Sequence, residues 1–116
     1  MQSSEKRIKA ELQDVVSLLV QKKYHELEKR SSGIRLTSYE MERAIDEYGC
    51  ALVYPPESEF HSIDMIEVQN SNPKKWSVRF DLWSEQEGRS DLNLELTMTE
   101  VNEEKIAVEI DDIHVL

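Results

Sequence analysis

The sequence predicts an α+β domain in which two N-terminal helices pack on one face of a curved, four-stranded antiparallel meander. The spacing of apolar residues changes from the 3.6-residue period of an amphipathic helix, before residue 49, to the two-residue period of a strand, after residue 63. Charge divides in a similar way. Residues 1–49 carry nine acidic and nine basic side chains, and residues 50–116 carry fifteen and five, so the second part holds the entire net charge of −10.

The chain has the length of one domain. It contains 116 residues, and its apolar fraction of 39% is sufficient for a core. We therefore expect a single domain over residues 1–116, helical over 1–49 and built mainly of strands over 50–116. A sheet that curves around its helices could take the cone-like form of the cystatin or NTF2 folds.

Two amphipathic segments predict the helices. The first is capped by Ser3 or Ser4 and ends at Ser31-Ser32-Gly33. The second opens on the capping box Thr37–Glu40, and Gly49 stands where a left-handed residue ends a helix. The apolar faces consist of Ile8, Leu12, Val15, Val16, Leu19 and Val20 in the first helix and of Met41, Ala44, Ile45 and Tyr48 in the second.

Alternating segments predict the strands. A short strand over Cys50–Tyr54 is one candidate, since Pro55-Pro56 would end it. Four longer runs follow, roughly over residues 63–70, 76–83, 91–99 and 106–111. Each has one apolar and one polar side, as an antiparallel sheet covered on one face requires. In the first of the four, Ile66 and Val68 form the apolar side.

The last strand contains a change of phase. Ile110 and Ile113 have opposite parity, and a one-residue slip turns a strand over. A β-bulge near Asp111-Asp112 would let both isoleucines face the core while both aspartates point outward. Alternatively, the strand ends at Asp111 and the tail docks separately.

The polar side of the sheet is the candidate functional site. The acidic excess and the placement of Trp83 among polar positions favour a partner-binding surface with one aromatic anchor, since tryptophan is enriched at binding hot spots. Alternatively, this side is an ordinary solvated face, and the Trp83 ring covers the edge of the core. The candidate residues are Arg79, Asp81, Trp83, Asp91, Asn93, Glu95, Glu109 and Asp111.

No motif specifies catalysis. The three glycines lie at predicted ends of helices and strands, so no phosphate-binding loop is expected. Cys50 is predicted to be a core residue. Glu95, Glu109 and Asp111 could support acid–base chemistry only if one were buried. The pair Asp112 and His114 has the spacing of two metal ligands, but that spacing is common by chance. We therefore expect no enzymatic activity, cofactor or metal.

Composition also bounds partners and location. Phosphates repel an acidic chain, so we expect no direct binding of nucleic acid or anionic lipid. No segment approaches the ~20 apolar residues that cross a bilayer, and the charged N-terminus does not have the pattern of a signal peptide. A single cysteine excludes an internal disulfide. Together these features predict a cytoplasmic protein, and none of them specifies an oligomeric state.

The C-terminal part resembles a known group of proteins. The segments Trp76–Val78, Leu82-Trp83, Glu87–Leu92, Leu94–Leu96 and Glu109–Leu116 are similar to an uncharacterised family of small bacterial proteins, with a looser likeness over residues 35–53. That family is associated with immunity proteins of polymorphic and contact-dependent toxin systems. The resemblance implies a cytosolic bacterial protein that binds and blocks one toxin domain, and such toxins are often nucleases with basic active sites.

Three functions are therefore open at this point. The first is a non-enzymatic immunity protein that occludes the active site of a cognate toxin, such as a basic nuclease. The second is an NTF2-like small-ligand binder or enzyme with a pocket between helices and sheet. The third is an interaction domain with no toxin partner.

Overall fold

The computed structural model describes residues 3–31 and 35–115 and confirms the α+β class. Within these residues, three helices come first, and five strands follow in one antiparallel sheet. The helices are α1 Ser4–Val20, α2 Tyr24–Ser31 and α3 Ser38–Tyr48, and the strands are β1 Leu52–Val53, β2 Asp64–Glu67, β3 Lys75–Ser84, β4 Gly88–Glu100 and β5 Ile106–Val115. A short 3-10 helix, Glu57–Phe60, lies between β1 and β2.

The first predicted helix is divided into α1 and α2. Lys22 adopts a left-handed conformation with φ 60°, and its backbone N–H donates to the Leu19 carbonyl instead of continuing the helix. A residue in this conformation at a helix end is usually glycine or asparagine, so a lysine at this position did not predict the end of the helix. The predicted cap at Ser3 is present, and its hydroxyl accepts from the Lys6 N–H. Of the predicted stop signal, Ser32-Gly33 lies outside the described residues.

The second predicted helix, α3, has both of its predicted ends. The Thr37 hydroxyl accepts from the Glu40 N–H, and the Glu40 carboxylate accepts from the Thr37 N–H. Gly49 follows the helix with φ 79°, a region that side chains with a Cβ rarely enter. The prediction is therefore confirmed at both ends of this helix.

Strands β2 to β5 form the predicted meander, and β1 adds a fifth strand. β2 pairs with Trp76–Arg79, whereas β1 pairs with Trp83-Ser84 on the same edge of β3. The intervening chain, including the 3-10 helix, therefore passes the middle of that edge. There Phe60 is buried and stacks on Phe80 with ring centroids 5.0 Å apart.

The helices cover one face of the sheet, and the buried apolar side chains form one contiguous core. The predicted stripe of α1 and the apolar sides of β3, β4 and β5 all contribute, which confirms the faces expected from the sequence. The strand residues of this core are Trp76, Val78, Phe80, Leu82, Leu92, Leu94, Leu96, Met98, Ile106, Val108, Ile110 and Ile113.

The facing predicted for β2 was wrong. Met65 pairs with Val78 and is partly buried against the core, whereas Ile66 pairs with Ser77 and is 66% exposed. Residues paired across antiparallel strands share a face, so the register with β3 turns Ile66 outward. Apolar alternation in a short edge strand did not indicate which side is covered.

The predicted bulge in β5 is confirmed. Glu95 pairs with Asp112 and Leu96 with Ile110, which leaves Asp111 as the extra residue. Ile110 and Ile113 are both buried, and β5 continues to Val115 rather than ending at Asp111. The bulge also brings Asp112 and His114 to the side of the sheet away from the helices.

Candidate functional site

The sheet face opposite the helices is the candidate site, and we call it the open face. Three strands present polar side chains here in cross-strand rows. Two of these rows are central. The two central rows are Arg79–Glu95–Asp112 and Asp81–Asn93–His114.

The structure brings most of the predicted residues together. Arg79, Asp81, Asn93 and Glu95 lie side by side in the two central rows. Glu109 and the bulge residue Asp111 lie next to them, around Thr97, whose hydroxyl donates to Asp111 at 2.6 Å. Trp83 and Asp91 lie apart, toward the β3–β4 hairpin; Asp91 is exposed, and its N–H donates to the Tyr48 hydroxyl.

Several participants were missed by sequence reasoning. Arg35, in the connection from α2 to α3, contacts Glu109 at 3.3 Å and Asp111 at 3.4 Å. Glu59, in the 3-10 helix, reaches Trp83 and Arg89. Only the tertiary fold brings these distant segments to the sheet, so no local signal could have identified them.

The open face keeps a negative excess despite its ion pairs. Arg79 pairs with Glu95 at 3.2 Å, but its side chain is 55% exposed, and such pairs contribute at most ~1 kcal/mol. Among the described residues of the face and its rim, eight carboxylates stand against three guanidinium groups and one ammonium group, an excess of four negative charges. The acids are Glu59, Asp64, Asp81, Asp91, Glu95, Glu109, Asp111 and Asp112, and the bases are Arg35, Lys75, Arg79 and Arg89.

Trp83 lies between its two predicted alternatives, since it is half-buried. Its indole N–H donates to the Glu59 carboxylate at 3.1 Å, and Arg89 donates to the same carboxylate at 2.8 Å. A Cβ at Gly88 would stand 3.6 Å from the ring, so the hairpin passes close beside it. The ring is therefore held in place at the end of the open face, with part of its surface available.

A cleft of about 450 Å³ lies on the open face, where the 3-10 segment passes the edge of β3. Carboxylates of Glu59, Asp64 and Asp81 line it, together with the two nearby arginines and Asn93. Its polar lining suits charged side chains or polar ligands. The second predicted function placed a pocket between helices and sheet, and a second cleft of about 400 Å³ does lie between α3 and β5, lined by Tyr48, Leu92 and His114 among others.

The thiol of Cys50 is the side chain considered as a nucleophile. Cys50 is half-buried rather than part of the core, and burial raises the pKa of its thiol, with a further contribution from the charge of Glu87. A raised pKa disfavours the reactive thiolate.

A possible metal site lies on the open face. One ligand atom from each of Glu95, Asp112 and His114 lies within 4.8 Å of the others, so these three residues could hold a metal ion.

The comparison with protein families matches residues 16–116 to a domain of unknown function, DUF7668. The chain belongs to this family. The matched part of this DUF7668 domain begins within α1 and includes every residue of the open face. Neither the comparison with curated proteins nor that with solved structures finds a match, so the cystatin or NTF2 likeness stays a prediction. Among the described residues, no helix is both long and apolar enough to cross a membrane.

Proposed function

We propose that this DUF7668 domain is a cytoplasmic, non-enzymatic binding protein whose open face covers a basic protein partner. The observation that carries the proposal is the excess of four negative charges on the face that the helices leave uncovered. Oppositely charged surfaces speed the encounter of two proteins and exclude wrong partners. Partner binding is the function that this charge distribution supports best.

The partner that we propose is a bacterial toxin domain, such as a nuclease with a basic active site. The resemblance of residues 76–116 to immunity-associated proteins supports this choice. An inhibitor of this kind needs no catalytic group, because occupying the active site suffices to block the substrate. A nuclease must attract phosphates, so its active site offers the positive charge that the open face would complement.

Two apolar side chains could supply contacts that hold the complex. Ile66 is 66% exposed at the edge of the open face, opposite Ser77. Trp83 is half-buried at the hairpin end of the same face. Aromatic residues often dominate interface energy, while charged residues around them set orientation and association rate.

The cleft beside Asp81 and Asn93 supports a second candidate function, the binding of a small polar ligand. Its volume of about 450 Å³ is within the ~300–1,000 Å³ of ligand pockets. In this alternative, the ligand would occupy the open face rather than a pocket under the helices.

The proposal is tested by binding kinetics against the toxin domain encoded next to this protein, at several salt concentrations. The association rate constant should fall at least about tenfold from low to high salt, since screening weakens long-range attraction. Asp64→Lys and Glu109→Lys should slow association, whereas Glu42→Lys, an equal charge change on exposed α3, should not. Trp83→Ala should chiefly speed dissociation.

Two results would count against the proposal. Salt-independent association, with unchanged kinetics in all open-face variants, would place the interface elsewhere. Absence of binding to the encoded neighbour, by a protein whose folding is verified by circular dichroism, would refute the toxin partner.

A further inference from the structure

We infer that the open face contains a binding site for a divalent transition-metal ion, such as Zn²⁺, formed by Glu95, Asp112 and His114 beside the amide of Asn93. This inference goes beyond the proposed partner binding and does not depend on it. It rests on the convergence of ligand atoms and on buried polar atoms that have no hydrogen-bond partner in the part of the chain that the structure describes.

The four residues form a square on two neighbouring strands. Glu95 pairs with Asp112, and Asn93 pairs with His114. The β5 bulge creates this square, because the extra residue Asp111 brings Asp112 and His114 into register with β4 on the open face. Potential ligand atoms of the two acids and the histidine all lie within 4.8 Å of one another.

The distance between His114 and Asp112 fits a shared ion. His114 Nδ1 lies 3.1 Å from Asp112 Oδ2. Two ligands bound to one tetrahedral Zn²⁺ at about 2.0–2.1 Å stand roughly 3.3 Å apart. The other oxygen of Asp112 accepts from the Ile113 N–H at 2.9 Å, which orients the carboxylate and leaves Oδ2 toward the histidine.

Unpartnered buried atoms provide the second observation. His114 Nδ1 is buried and, among the described residues, has no well-oriented hydrogen bond, despite its closeness to Asp112. In the neutral imidazole tautomer that carries its proton on Nε2 and binds a metal through Nδ1, this atom would offer a lone pair toward a carboxylate oxygen. Two such acceptors repel each other unless a cation or a proton lies between them.

Asn93 repeats this pattern in the same square. Its side chain is on the open face, yet the residue is only 3% exposed. The Nδ2 group donates to Asp81 on β3 at 2.9 Å, whereas Oδ1 is buried and has no hydrogen-bond partner within residues 3–31 and 35–115. Buried polar atoms without partners are rare in folded proteins, and a bound ion is one recognised explanation.

The donor set indicates the class of metal. One imidazole nitrogen with carboxylate oxygens suits Zn²⁺ or Co²⁺ better than Mg²⁺ or Ca²⁺, which take oxygen ligands. Arg79 pairs with Glu95 at 3.2 Å and would compete with the ion for that carboxylate. Arg79→Gln should therefore tighten metal binding.

The test is calorimetric titration of the full, EDTA-treated chain with ZnCl₂, with CoCl₂ absorption and histidine-ring NMR as independent measurements. We expect one ion per chain and a selective shift of the His114 ring signals. Groups that merely orient a ligand change affinity by about 10–100-fold when removed, so His114→Ala and Asp112→Asn should each weaken binding at least as much. His61→Ala, at an exposed histidine outside this square, is the matched control.

Titration without any partner keeps this test separate from the proposed function. If His114→Ala fails to fold, Glu95→Gln and the NMR shifts of the wild-type ring still decide the matter. Absence of binding, or wild-type affinity in His114→Ala, Asp112→Asn and Glu95→Gln, would overturn the inference.

Discussion

The two faces of one strand, β4, differ in what holds their side chains. Toward the helices, Leu94 and Leu96 are fully buried among apolar neighbours. Toward the open face, the alternate residue Glu95 pairs with Arg79, and Asn93 donates to Asp81 while its Oδ1 has no hydrogen-bond partner among the described residues. The covered face therefore contributes packing free energy, and the open face retains groups able to bind something else. Stability and recognition are separated at alternate residues.

The sharpest test of this separation is Leu94→Ala. Truncation of a fully buried leucine removes apolar contacts and leaves a cavity, so the free energy of unfolding should fall by about 2–5 kcal/mol. Urea denaturation provides the measurement. A loss below roughly 0.5 kcal/mol, far under the usual range, would mean that the covered face does not carry the stability.

The second largest loss of stability is expected for Arg7, a buried polar residue on the covered side. Arg7 in α1 is 9% exposed, and it donates to the Glu100 carboxylate at 2.5 Å and to the Asn102 carbonyl at 2.9 Å. Hydrogen bonds of charged groups contribute about 1.5–3 kcal/mol, so Arg7→Ala should cost a similar amount in thermal or urea unfolding. Lys6→Ala, next to it and exposed, is the control. Equal effects of the two changes would show that burial of Arg7 adds nothing.

Deletion of Asp111 tests the bulge with a smaller effect. Without this residue, Ile110 and Ile113 acquire the spacing of a regular strand and can both stay buried. The loss should be about 1 kcal/mol, as expected for the hydrogen bond from Thr97. Circular dichroism and urea denaturation measure it. Complete loss of the fold would show that the bulge itself is required.

Arg79→Ala on the open face should have the smallest effect. Its ion pair with Glu95 is largely solvated, and such pairs contribute between zero and ~1 kcal/mol. Urea denaturation in low and high salt should show that even this difference declines as salt screens it. A larger, salt-independent loss would mean that the open face also stabilises the fold.

The sequence by itself determined the α+β class, the core faces of β3 to β5, the ends of α3 and the bulge. These features are encoded locally, since apolar period and phase show which side of an element is buried. The change of phase in the apolar alternation between Ile110 and Ile113 was sufficient to predict the position of the bulge. The acidic excess that motivates the proposed function is likewise a property of composition.

Only the tertiary structure decided the rest. The outward facing of Ile66 follows from its pairing with Ser77, and Arg35 meets Glu109 because distant segments come together. The approach of Glu95 to His114 depends in the same way on strand register. Contacts between residues far apart in sequence leave no periodic signal, because each partner's own segment fits many registers. The pairing of strands in the folded protein selects one register, and this register brings the polar side chains of the open face together.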